Sequence, residues 1–165
     1  MARSSSACCA GSTKINRDPE ATGGISPQAA GVGHSVRTLP VLTPLNTFFW
    51  TAGRNGRLAI LRCDSCGEWL HPPSPVCPVC LSRRLTARDV SGLGTIETFT
   101  VNHHAWTPDL SVPYVIAIVG LDDCQRVRLT TNLVGCAPET VRIGARVRVV
   151  FVQHDDVWLP LFTPV

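Results

Sequence analysis

Cys63-Asp64-Ser65-Cys66-Gly67-Glu68-Trp69-Leu70-His71-Pro72-Pro73-Ser74-Pro75-Val76-Cys77-Pro78-Val79-Cys80 sets two Cys-x-x-Cys pairs ten residues apart. Each pair folds into a turn that brings two sulfurs close enough to share one ion. Gly67, directly after the first pair, can adopt the left-handed conformation that aims backbone N–H groups at a thiolate. Pro78 stiffens the second turn, and Pro72, Pro73 and Pro75 keep the connection extended. Two such knuckles build a tetrahedral sulfur site with Cys63, Cys66, Cys77 and Cys80 as candidate ligands. Zinc is the usual occupant and iron the main rival. Two disulfides, or a redox Cys-x-x-Cys, are the alternatives. A redox motif is normally single, and no secretory signal precedes these cysteines, so the paired spacing favours a structural metal.

Outside this segment, composition bounds the class. The chain has 165 residues, 44% of them hydrophobic, enough for one sizeable domain or two small units packed together. No apolar run has membrane-spanning length. Residues 1–40 are rich in Ala, Gly and Ser and nearly lack large apolar side chains, which predicts a disordered tail. Its Cys8 and Cys9 read as free thiols. Without the apolar core of a signal peptide, they point to a reducing cytoplasm.

The formal charge of +3 raises the prospect of a nucleic-acid partner. Much of it lies in the tail. Four thiolates holding one Zn²⁺ bring the folded part to about −1. Arg126, Arg128, Arg142, Arg146 and Arg148 form a late basic group, but they alternate with apolar residues, as on strands with one face in water.

That alternation predicts a barrel. Arg126–Thr130 and Arg146–Val149 have period two, and Tyr114–Val119 is a continuous β-branched run expected of a central strand. Thr95–Val101 comes before it, with a phase slip between Ile96 and Phe99 that fits a bulge. Val157–Phe162 closes the chain. Five strands, turns at Asp122-Asp123 and Gly135, and one helical turn near Pro138-Glu139-Thr140 suggest a small closed barrel of the OB type. Upstream, Pro44–Trp50 reads as a short helix capped by Thr43, with Pro44 at its first position. Leu58–Arg62 then runs as a strand into Cys63. The expected architecture is mainly β: a tail at 1–40, a short helical segment at 41–57, a zinc ribbon at 58–91 and a five-stranded OB-fold barrel at 92–165.

Local motifs follow one another in a set order: Phe49-Trp50, Gly56-Arg57-Leu58, Arg62–Gly67, Pro72-Pro73, Val76–Cys80 and Val90–Thr95. Pro113-Tyr114-Val115, Thr131–Gly135, Ile143-Gly144 and Leu159-Pro160 complete the series. That series resembles the acyl-CoA-associated zinc-ribbon/OB-fold family, domain of unknown function family thirty-five. The match runs from about Val41 to Val165, and the order and spacing make it specific. The resemblance implies a rubredoxin-like zinc ribbon with structural Zn²⁺ on the four cysteines. It also implies a non-catalytic accessory subunit that docks on a thiolase-like, hydratase or aldolase enzyme and helps form its CoA-thioester site in lipid, steroid or polyketide metabolism. Two departures are visible. Cys124 stands where the family's strand-connecting turn commonly has glycine, which could add a reactive thiol, and Leu81 follows the second knuckle where glycine is frequent.

No catalytic constellation accompanies these motifs: there is no Gly-x-Ser-x-Gly elbow, phosphate-binding Gly-rich loop with Lys, or His-Glu-x-x-His. His103, His104 and Trp106, where the first barrel strand meets a loop, are the candidate ligand contacts. They lie at a rim that OB-folds use for binding, and loop packing against the barrel or a partner is the alternative. His71 is imaginable as an extra ligand, but four sulfurs complete a tetrahedron, so it belongs beside the site or at the surface. Phe48, Phe49, Trp50 and Trp106 are candidates for an apolar partner surface, with core packing as the competing role for the first three. A single-stranded nucleic-acid module is the alternative function, disfavoured by 6% aromatic residues and a near-neutral folded region.

Overall fold

A computed structural model describes residues 38–106 and 111–165, all within one compact unit, Gly33–Val165. The tail expectation for residues 1–37, with Cys8 and Cys9, lies outside the described residues, as do residues 107–110 of the rim loop.

Helix α1 spans Thr47–Thr51 and passes into a 3₁₀ turn, Ala52–Asn55. It begins three residues later than expected, and Asn46 explains why. The Asn46 side chain accepts the Thr43 N–H at 2.8 Å and donates to the Val41 carbonyl at 3.0 Å. The Thr43 carbonyl in turn accepts the N–H groups of Asn46 and Thr47. Residues 44–46 are thereby closed into a turn ahead of the helix. Gly56, left-handed at φ +66°, ends the segment and releases the chain into the ribbon.

The ribbon is a three-stranded sheet in the order β2-β1-β3, formed by β1 (Leu58–Cys63), β2 (Trp69–Leu70) and β3 (Leu85–Val90). β1 is buried on both faces. Leu58 and Ile60 enter the barrel core, while Leu61 and Cys63 join Leu70 and Cys77 in a second cluster under the knuckles. One strand therefore serves two cores, and period-two geometry is what divides its side chains between them. The hydrophobic pattern predicts neither β2 nor β3. β3 reads Leu-Thr-Ala-Arg-Asp-Val and has no buried residue, so it lacks a hydrophobic period; its backbone pairing with β1 is what makes it a strand.

The barrel closes in the order β4-β5-β6-β8-β7. Its strands are β4 (Leu93–Asn102), β5 (Tyr114–Leu121), β6 (Arg128–Leu133), β7 (Arg146–His154) and β8 (Val157–Pro164). The five expected strands are all present. The phase slip is a bulge: Ile96 pairs with Val119 and Thr98 with Ile118, leaving Glu97 as the extra residue. At this bend the Ile96 N–H donates to Ala145 and the Ile96 carbonyl accepts from Gly144, joining β4 to the start of β7. Glu97 lies over Gly120, where a Cβ would come within 2.5 Å of its carboxylate, and accepts a 2.7 Å bond from Arg128.

The last closure is unlike the others. Parallel β6 and β8 share the single register pair Leu133↔Phe162, whereas β7 and β8 pair along their whole length. Two hydrogen bonds supplement that pair: Val134 N–H to the Phe162 carbonyl at 2.8 Å, and Thr131 Oγ1 to the Pro160 carbonyl at 2.9 Å. Pro160 has no N–H to offer a ladder.

Candidate metal centre and ligand cavity

The four sulfurs of Cys63, Cys66, Cys77 and Cys80 lie within 4.8 Å of one another. Cys63 and Cys80 are 3.6 Å apart, as are Cys66 and Cys77, far beyond disulfide length. A tetrahedral zinc with bonds of about 2.3 Å holds its sulfurs about 3.8 Å apart, so the cluster fits that ion. The knuckles are near copies. Gly67 donates its N–H to the Cys63 carbonyl at 2.9 Å, and Leu81 to the Cys77 carbonyl at 3.0 Å. Both are left-handed, with φ +80° and +59°. A Ser65 to Ser82 hydrogen bond of 2.8 Å, with Arg84 also donating to Ser65, ties one knuckle to the other.

Electrostatics of the cluster favour a cation. Desolvation opposes ionisation of Cys63, yet the N–H groups of Cys66 and Ser65 and the side chains of Cys80 and Cys66 bring it down to about 6. Cys66 has the Glu68 N–H in its favour, but desolvation and the neighbouring thiols hold it up at about 12. One sulfur gives up its proton readily and the next resists. Full ionisation needs a compensating positive charge among them.

A cavity of about 420 Å³ opens where α1, the ribbon and the barrel meet. Phe49 and Trp50 form one wall, Pro72 and Pro73 another, and β6 (Leu129 to Asn132) and β8 (Leu159 to Leu161) the third. This is the stretch over which β6 and β8 diverge from their single register pair. The lining surface is mainly apolar, with Asn46, His71, Thr130, Thr131 and Asn132 as polar points, the usual character of a small-molecule pocket. His71 packs its ring 4.7 Å from that of Phe49, and burial pushes its pKa below the ordinary value, which keeps it neutral near pH 7.

Two family models match consecutive parts of the chain: the ChsH2 rubredoxin-like zinc ribbon domain over residues 50–86 and the ChsH2 C-terminal OB-fold domain over residues 87–152. A DUF35 domain-containing scaffold protein of Methanothermobacter thermautotrophicus is 35% identical over 96 residues, 54% of this chain and 68% of that protein. The chain belongs to the DUF35 family. A probable enoyl-CoA hydratase alpha subunit of Thermomonospora curvata is 37% identical over 131 residues, 79% of this chain; the chain spans 40% of that subunit's length. Among solved structures, the Ltp2-ChsH2(DUF35) aldolase includes a chain with a TM-score of 0.69 and 36% identity, covering 76% of this chain and 98% of that one. The zinc ribbon of the family and the sulfur cluster coincide, so this DUF35 chain carries a structural zinc site.

The other expected site residues fall elsewhere. His103 and His104 follow the end of β4 and are exposed, and the His104 ring stands edge-on to Trp106 at 5.1 Å. Trp106 is 73% exposed, and none of the three lines the cavity. Phe49 is a core residue, with Phe48 and Trp50 packed against the core, so of the four proposed surface aromatics Trp106 alone is exposed. Cys124 does not present an exposed thiol. It is fully buried, and desolvation, reinforced by Asp123, raises it to about 12. The late arginines face solvent as expected, and four of the five are engaged: Arg126 with Glu68, Arg128 with Glu97, Arg146 with Asp122, and Arg142 with the carbonyls of Glu139 and Val141. That dispersal counts against a polyanion-binding stripe on the barrel.

The cavity escaped the sequence reading because its walls come from four distant segments. A signal was nevertheless present. Phe49-Trp50, Pro72-Pro73, Thr131-Asn132 and Leu159-Pro160 were separate motifs of the family resemblance, and all four converge on it.

Proposed function

We propose that this chain is a non-catalytic accessory subunit of an acyl-CoA-processing enzyme of the hydratase, aldolase or thiolase-like kind. It docks on that enzyme and helps to form the CoA-thioester site, in lipid, steroid or polyketide metabolism in a reducing cytoplasm. Cys63, Cys66, Cys77 and Cys80 hold the zinc. A closed four-sulfur site leaves no position for a substrate water, so the metal's work is to stabilise the ribbon.

The observation that carries this reading is the convergence of four family motifs on one apolar cavity, in a chain whose sequence holds no hydrolytic or phosphoryl-transfer motif. A cavity of that size suits the apolar portion of a thioester. The exposed Trp106, with His103 and His104 beside it, supplies a rim for a partner or for the ligand's outer portion. Relatives named as a hydratase subunit and as scaffold proteins support a partner role.

The test is co-expression with candidate hydratase-, aldolase- and thiolase-like enzymes, reading co-purification, zinc content and acyl-CoA turnover together. A stoichiometric zinc-containing complex whose turnover falls when this chain is omitted is the expected result. Turnover by this chain alone, or a zinc-loaded chain that joins none of these enzymes and is dispensable to each, overturns the reading.

A further inference from the structure

Charge is divided unevenly along the chain. Residues 54 to 88 carry six arginines and two carboxylates, whereas residues 89 to 165 carry five arginines and eight carboxylates. Three of the six arginines, Arg54, Arg57 and Arg88, line one open groove of about 730 Å³ between α1 and the ribbon sheet. The small side chains of Ala59 and Ala87 let a ligand approach closely, and Asp89 is the one carboxylate in the lining.

The guanidinium groups are held but not consumed. Arg57 donates to Asp89 at 2.7 Å, Arg88 reaches Asp64 at 3.4 Å, and Arg54 lies 4.9 Å from the centre of the Trp158 ring. The Arg57 and Arg88 side chains are still 55% and 56% exposed. Each guanidinium has five N–H donors, so one carboxylate contact leaves several for a ligand. Exposed ion pairs of this kind are weak enough for a doubly charged anion to displace the carboxylate.

We propose that this groove binds a phosphate-bearing ligand, with Asp89 as the internal group that the phosphate displaces from Arg57. Two sources share that chemistry: the phosphorylated nucleotide end of a CoA thioester, and free phosphate or pyrophosphate. Assignment to the nucleotide end rests on the proposed function; the anion seat itself does not.

The test is calorimetric titration of the zinc-loaded full chain, without any partner enzyme, with CoA, adenosine 3′,5′-bisphosphate, inorganic pyrophosphate, pantetheine and a dT12 oligonucleotide. CoA and the bisphosphate are expected to bind and compete, and added salt to weaken both. Arg57→Gln or Arg88→Gln should weaken them by roughly tenfold. Asp89→Asn should tighten them by about fivefold, the opposite sign to a loss of structure. Pyrophosphate binding as tightly as CoA, with the same dependence on these residues, supports the seat and assigns it to free phosphate. No binding by any phosphate-bearing probe, affinity indifferent to all three substitutions, or a clear preference for the oligonucleotide overturns the proposal. Because the probes need no partner, a failed complex with intact phosphate binding removes the accessory-subunit reading and leaves the groove standing.

Discussion

Leu81 donates its backbone N–H to the Cys77 carbonyl at 3.0 Å from a left-handed conformation, φ +59°, that side chains rarely adopt. Gly67 makes the matching bond in the first knuckle without that cost. The left-handed form disfavours an L-residue by roughly 1–2 kcal/mol, and glycine's extra freedom in the unfolded chain takes back part of the gain. Leu81→Gly should therefore stabilise the zinc-loaded protein by about 0.5–1 kcal/mol, read as a higher urea midpoint at unchanged slope. A Cβ at Gly67 meets only Arg62 Nη2 at 3.4 Å, so Gly67→Ala should destabilise through conformation alone, by about 1 kcal/mol.

Chelation should separate the four knuckle cysteines from Cys124 among the chain's eight cysteines. Cys63, Cys66, Cys77 and Cys80 should be shielded from alkylation in the zinc-loaded chain and become fully reactive once zinc is removed. Cys124, buried and with a raised pKa, should stay unlabelled until the barrel itself unfolds. Mass spectrometry of alkylated peptides before and after chelator reads both. Because Leu58 and Ile60 of β1 lie in the barrel core, metal removal should also speed hydrogen exchange in the barrel strands. Exchange confined to the knuckles would contradict that coupling.

Gly53 is where the helical segment presses on the barrel. A Cβ there would come within 2.5 Å of both Phe151 and Trp158. Gly53→Ala should cost about 1–3 kcal/mol by forcing those side chains apart. Thermal unfolding would measure the loss, and zinc content should be unaffected, since the knuckles lie elsewhere.

His71 supplies a pH dependence whose sign follows from its burial. Its folded pKa lies below the unfolded value, so its contribution to stability is complete above the unfolded pKa, near 6.5, and is lost as pH falls below that. Thiolate protonation acts in the same direction as zinc is released. The contribution of His71 is therefore the difference between wild type and His71→Phe: the variant should lose less stability between pH 7 and pH 5.5 when urea midpoints are compared. Parallel losses would show that His71 does not titrate with folding.

Features that depend on adjacent residues could be read from the sequence. The sulfur cluster is local, the barrel strands announce themselves by alternation, and the bulge at Glu97 appears as a slipped phase. β3 could not be read this way, because an exposed edge needs no hydrophobic period and Thr86-Ala87-Arg88-Asp89 resembles a loop. Cys124 sits in a polar turn, Asp122-Asp123-Cys124-Gln125, so its immediate neighbours do not foretell its place in the buried cluster that also holds Leu58, Ile60 and Val147. The acidic partners of Arg126, Arg128 and Arg146 are likewise 24 to 58 residues away along the chain, so a basic run in the text becomes a mixed-charge surface in the fold.

β6 meets β8 through one register pair and two further hydrogen bonds, the sparsest seam of the barrel. A sheet rolled until its edges meet so briefly is the one place where its girth could change without shifting any strand against its antiparallel neighbours. The cavity lies at that opening. Under the proposed function, a bulkier guest would be admitted by a change of circumference at the cost of the Thr131 bond to Pro160, while the register of the other four strand pairings stays as it is.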